Sequence, residues 1–159
     1  MGALVVAVVL GSSAAYAAAD PYAPLQLYAG KWAMTDASGK TISIDNHCAR
    51  TGLFYVCEQV VGGKSEDLIV FLPTGSTAAG LTYRTQALTA DGARTHPWQT
   101  LTIDGDHWIY VGDPERPGGP HSRTLNRFSG ANHIHFDVQT SADGKIWTTT
   151  LGGEEQREP

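Results

Sequence analysis

Short β-rich runs separated by explicit turn signals, roughly every 8–12 residues, fill nearly the whole chain and leave little room for helices. The runs are Lys31–Ala37, Thr41–Ala49, Leu53–Val61, Asp67–Leu72 and Leu81–Thr89, then Trp98–Ile103, His107–Val111, Arg123–Phe128, His133–Thr140 and Ile146–Leu151. Between them stand Ala37-Ser38-Gly39, Gly62-Gly63, Ala90-Asp91-Gly92, Asp104-Gly105-Asp106, Ser129-Gly130 and Asp143-Gly144. Glycine and Asx residues at these points suit tight hairpins. About ten strands joined almost entirely by hairpins form an up-and-down antiparallel meander. Closing it into a barrel removes its exposed edges, so the expected fold is an all-β barrel.

The period of two assigns faces. Ile42, Ile44, Asn46 and Cys48 share one side of their run. Ile134, Phe136 and Val138 share the apolar side of theirs, which puts His133, His135, Asp137 and Gln139 on the other. Leu68–Leu72 is apolar on both faces, so a cover over its outer side is expected. Tyr22–Tyr28, with Leu25 and Leu27, is the candidate plug for one barrel end. The longest connector, Gly112–Ser122, holds Pro114, Pro117, Gly118, Gly119 and Pro120, which cannot pair regularly. It reads as a solvated surface loop, with a lid over the barrel mouth as the functional alternative.

The first nineteen residues carry no charged side chain. Ala3–Leu10 is continuously apolar but too short to span a bilayer as a helix. Ala15-Tyr16-Ala17 and Ala17-Ala18-Ala19 both fit a small-x-small cleavage site. Residues 1–19 therefore read as a signal peptide, although no Lys or Arg precedes the apolar run. Residues 20–159 then form a single domain, periplasmic or secreted. The sixteen acidic and eleven basic residues give a net charge of −5 with no basic cluster, which disfavours nucleic acid and anionic membranes as partners. In an exported protein the two cysteines, Cys48 and Cys57, are most simply a disulfide across a hairpin turning at Thr51-Gly52. Free thiols or a metal-binding pair are the alternatives.

Gly30-Lys31-Trp32, just after the apolar lead-in, resembles the Gly-x-Trp signature of lipocalins and their calycin relatives. In that family the Trp closes the barrel base and the Gly permits tight backbone packing. The hairpin Ser141-Ala142-Asp143-Gly144-Lys145-Ile146-Trp147, followed by Gly152–Arg157, is similar to the end of exported bacterial lipocalin-like barrels. The resemblance implies a ten-stranded barrel with an internal cavity and no particular reaction. The chain departs from the family in lacking an Arg-x-Tyr pair for carboxylates, a recognisable second lipocalin signature, and a helix pair over the mouth.

Aromatic side chains are the best lead to a site. Trp98, Trp108, Tyr110, Tyr83, Phe71 and Phe136 are spread over the middle runs. If Asp104-Gly105 makes a two-residue turn, Ile103 pairs with Asp106 and Leu101 with Trp108. The inward cavity candidates are then Trp108, Tyr110, Tyr83, Leu101 and Phe136; the alternative is that they simply fill the core. His133-x-His135, extended by Asp137, has metal-ligand spacing but lies on the outer face. A haem ligand could be His96, His107, His121, His133 or His135, with nothing to select one. Arg84, Arg123, Arg127 and Arg157 are anion-anchor candidates, read as exterior arginines with their stems on apolar surface. Glu154-Glu155 reads as part of a solubilising charged tail. No Gly-x-Ser-x-Gly elbow, phosphate loop or His-Glu-x-x-His occurs, so no catalytic residue, metal or cofactor is assigned. The expected function is binding of a small apolar or amphipathic molecule. An interaction or structural protein of the envelope with a filled barrel is the alternative, and a haem-binding or enzymatic barrel a third.

Overall fold

A computed structural model describes residues 20–114 and 116–159. The signal-peptide reading of residues 1–19 lies outside them. Ten antiparallel strands close into a barrel: β1 (Gly30–Asp36), β2 (Thr41–Thr51), β3 (Phe54–Val61), β4 (Lys64–Thr77), β5 (Gly80–Thr89), β6 (Gln99–Asp104), β7 (His107–Gly112), β8 (His121–Phe128), β9 (His133–Ser141) and β10 (Thr148–Arg157). Each strand pairs with its sequence neighbours, and β1 pairs with β10 to complete the ring. Among the described residues no helix is long and apolar enough to cross a membrane.

Most strands fall where the turn signals place them, and the departures have local causes. β4 runs well past Leu72, because a register shift between Pro73 and Gly75 absorbs the proline. The outer side of Leu68–Leu72 is not sealed by a cover: Leu68 is 42% exposed. β10 begins later than expected, at Thr148, and continues to Arg157, so the charged C-terminal segment belongs to the barrel wall. The β6–β7 turn sits one residue further along than expected, over Gly105-Asp106. Ile103 therefore faces Trp108 and Leu101 faces Tyr110, not Asp106 and Trp108. Gly105 takes φ +59° at the first central position, which only glycine adopts easily. The shift moves partners by two positions, so every inward residue stays inward.

One end of the barrel is a packed floor. The lead-in Tyr22–Tyr28 plugs it through a short 3₁₀ turn, Pro24–Leu27, whose Leu25 is fully buried with Trp32, Trp108, Leu101 and Ile134. Tyr22 stacks on Tyr55, donates its hydroxyl to the Leu53 carbonyl at 2.6 Å, and lies under the Arg50 guanidinium. Tyr83, also buried, donates to the Pro21 carbonyl. Cys48 and Cys57 are direct cross-strand partners of β2 and β3 and are joined by a disulfide.

Closure of the ring centres on Arg157. Its guanidinium lies 4.2 Å from the centre of the Trp32 ring. It donates to the carbonyls of Ala29 and Leu27, each at 2.6 Å, and of Ala131 at 2.8 Å. One side chain thus ties β10 to the lead-in and to the β8–β9 turn. Gly30 makes room for it: φ is +105°, and an added Cβ would lie 2.7 Å from Arg157 Nη1. Gly30→Ala is therefore expected to lower stability by about 2 kcal/mol, read from denaturant unfolding. Replacing both cysteines by serine is expected to cost about 2–3 kcal/mol in the same assay, from the lost restraint on the unfolded chain.

Candidate functional site

Above the floor the inward side chains become smaller and more polar, and they leave a cavity of about 310 Å³. Met34, Ile44, Ile69, Phe71, Ala87 and Phe136 form its apolar wall. Tyr28, Gln59, Tyr110, Thr124, Asn126 and Glu155 supply its polar groups, with Thr85, His96 and Gln99 completing the lining. No Lys or Arg is among these residues.

Alternation explains the placement. Glu155 is the cross-strand partner of Met34 on one side and Ile134 on the other, and directly opposed residues share a face. Both partners point inward, so the carboxyl does too. The solubilising-tail reading of Glu154-Glu155 is thus corrected for Glu155, whereas Glu154 stays outside and meets His133 and His135. Burial alone pushes the Glu155 carboxyl from its ordinary 4.5 up to about 7. The same carboxylate, together with burial as the larger cause, raises the Tyr28 and Tyr110 hydroxyls above the usual tyrosine range.

The lower polar layer is ordered by a small network. Gln59 donates its amide to the Tyr28 hydroxyl at 2.9 Å and to Asn46 Oδ1 at 3.1 Å. Asn46 in turn donates to the Tyr28 carbonyl at 3.1 Å. Beside the floor, Asn126 Oδ1 is buried with no hydrogen-bond partner among the described residues, as is the indole N–H of Trp108, its partner across β7 and β8. Buried polar atoms left open in this way are uncommon and call for a guest or a water.

Of the five residues expected to line a cavity, Tyr110 and Phe136 do so. Trp108, Tyr83 and Leu101 are fully buried in the floor instead. Trp108 packs against Phe128, ring centres 4.8 Å apart, and against Tyr28. His133 and His135 stand on the outer wall. There Glu154 hydrogen-bonds His135 at 2.7 Å and is the main cause of its raised pKa. Among the described residues no group of three or more His, Cys, Asp or Glu side chains is placed to hold a metal ion. Of the histidines weighed for haem, His96 alone is among the cavity's lining residues. The outer arginines rest on aromatic rings: Arg84 over Trp98, also paired with Asp113 at 3.1 Å, and Arg123 over Trp147 at 4.1 Å. Arg127 pairs with His135 across β8 and β9 on that outer wall.

The polar half of the cavity, Glu155 with Asn126, Thr124, Tyr28 and Gln59, escaped the sequence reading. A signal for Glu155 existed: once Arg157 is placed beside Trp32, the residue two positions earlier must share its inner face. The β7–β8 connector lies at the mouth end, but none of its described residues lines the cavity; His96 of the β5–β6 connector does.

The raised carboxyl has a definite effect on stability. The folded chain retains the proton between pH 4.5 and about 7, where the unfolded chain has lost it. Stability therefore falls as pH rises through that window, by up to roughly 3 kcal/mol, and levels off above it. Glu155→Gln is expected to stabilise the protein by about 2–3 kcal/mol at pH 8 and to change little at pH 4, measured by urea unfolding at the two pH values.

Compared with protein-family models and with curated proteins, the sequence matches none.

Proposed function

We propose that the protein is an exported barrel of the lipocalin-like, calycin type that carries a small apolar or amphipathic molecule in its cavity and performs no chemistry on it. The observation that carries this reading is the polar-and-apolar cavity of about 310 Å³ above a sealed floor. Its volume sits at the low end for ligand sites and equals that of roughly ten waters, so the guest is small. Retention of a desolvated carboxyl in the wall supports the reading, because a barrel selected only for stability gains by losing it. The disulfide suits an oxidising compartment, in keeping with export.

The competing reading is an envelope interaction protein whose cavity is incidental. It is favoured by the exposed Leu53 and Phe54 beside the floor, 74% and 43% accessible. Native mass spectrometry of protein purified from its own host separates the two. The carrier reading expects a bound small molecule, released on denaturation. Ala87→Leu, which fills the cavity from β5, is expected to lose that adduct and to weaken binding of 2-phenylethanol at least about tenfold by calorimetry. A wild-type protein that retains nothing and binds no such probe would remove the carrier reading.

A further inference from the structure

The unusual element of the cavity is a buried carboxyl with no lysine or arginine among the described lining residues. Arg157 shares the inner face of β10 but is committed to the floor carbonyls of Leu27, Ala29 and Ala131. From the other elements, Glu155 faces Tyr28 of the lead-in and Tyr110 of β7, whose hydroxyls both sense its charge. Met34 of β1 and Ile134 of β9 flank it in register and bring no charge. Asp67 of β4, opposite Gln59, adds a second negative group sensed by Tyr28. His96, which in turn acts on Asp67, is the one basic side chain among the described lining residues.

Resting on the reading of the barrel as a carrier, we infer that its guest is a small organic ammonium, a protonated amine on an aromatic or apolar body, seated with its charge against Glu155. A cation supplies the counter-charge that the wall lacks. Its N–H groups can be shared among the Glu155 carboxylate, the open Asn126 Oδ1 and the oxygen of Tyr110. The rings of Phe71, Tyr110 and Phe136 offer π faces for the same charge and apolar surface for the body of the ligand. A carboxylate guest would meet a like charge and, among the described lining residues, no lysine or arginine. A purely apolar guest would leave Glu155 and Asn126 buried and unpaired.

The binding is coupled to a proton. Below neutrality Glu155 holds a proton that the incoming cation must displace, so affinity rises with pH and levels off once the carboxylate is already ionised. With an acid titrating near 7, affinity for an amine that stays protonated throughout gains about tenfold between pH 6 and pH 8. A neutral guest has no such dependence.

Calorimetry with 2-phenylethylamine and its neutral counterpart 2-phenylethanol, at pH 6 and pH 8, tests this on the intact protein. The expected result is that the amine binds at least about tenfold more tightly than the alcohol at pH 8 and loses about tenfold at pH 6. Glu155→Gln should remove both the preference and the pH dependence while still binding the alcohol, which shows that the variant is folded. Equal binding of the two probes, or preference for the alcohol at pH 8, overturns the ammonium inference and leaves the carrier reading standing. Binding of neither probe overturns both.

Discussion

The barrel depends on a single crowded junction, where the Arg157 guanidinium lies on the Trp32 ring and reaches three backbone carbonyls. An up-and-down sheet has two free edges until its first and last strands meet, and free edges invite pairing with other chains. Here the meeting is secured by a residue that is charged, planar and hydrogen-bonded on several sides, which makes it directional in a way that apolar contact is not. Gly30 is the steric complement of that arrangement. The Tyr22–Tyr28 lead-in gains its place because Arg157 bonds the Leu27 carbonyl near its end and the Ala29 carbonyl just after it.

The upper and lower halves of the interior follow different rules. The floor is dense and aromatic, and among its described residues the Trp108 indole N–H is a buried side-chain donor left without a partner. The cavity above it mixes methionine, isoleucine and phenylalanine with amides, hydroxyls and a carboxyl that burial has pushed toward neutrality. A chain under selection for packing alone tends to replace such a carboxyl, since an apolar or neutral side chain of similar size removes the desolvation cost. The Tyr28–Gln59–Asn46 network holds the lower polar groups in fixed orientations, so the cavity is preorganised rather than soft.

Much of this was legible in the sequence because turns and alternation are local. Gly39, Gly62-Gly63, Gly92, Gly130 and Gly144 mark real turns, and the parity of Ile42–Cys48 and Ile134–Val138 survives intact. The Cys48–Cys57 pairing was equally readable from spacing around one hairpin. What was not legible is how deep along the barrel axis each inward residue sits. Tyr110 and Trp108 share a face of β7, yet Tyr110 borders the cavity while Trp108, nearer the floor end of the strand, packs against Tyr28 of the lead-in and Phe128. Glu155 was missed for another reason. Its neighbours Glu154 and Gln156 are polar, so the segment looks like a solvated tail until its pairing with Met34 and Ile134 is known.

The position of Glu155, two residues before Arg157 on β10, bears on how the ring closes. Every neighbouring pair in the barrel is a hairpin except β1 and β10, whose Arg157–Ala29 hydrogen bond spans 128 residues. Loop-closure entropy makes that pairing the costliest one in the ring to bring together. The carboxyl is withdrawn from water only when that seam forms. The desolvation cost therefore belongs to the β1–β10 closure, where Glu155 pairs with Met34, and it is borne in full once the pH passes neutrality. A cationic guest that offsets the charge would act at the same place: it would clasp the barrel shut.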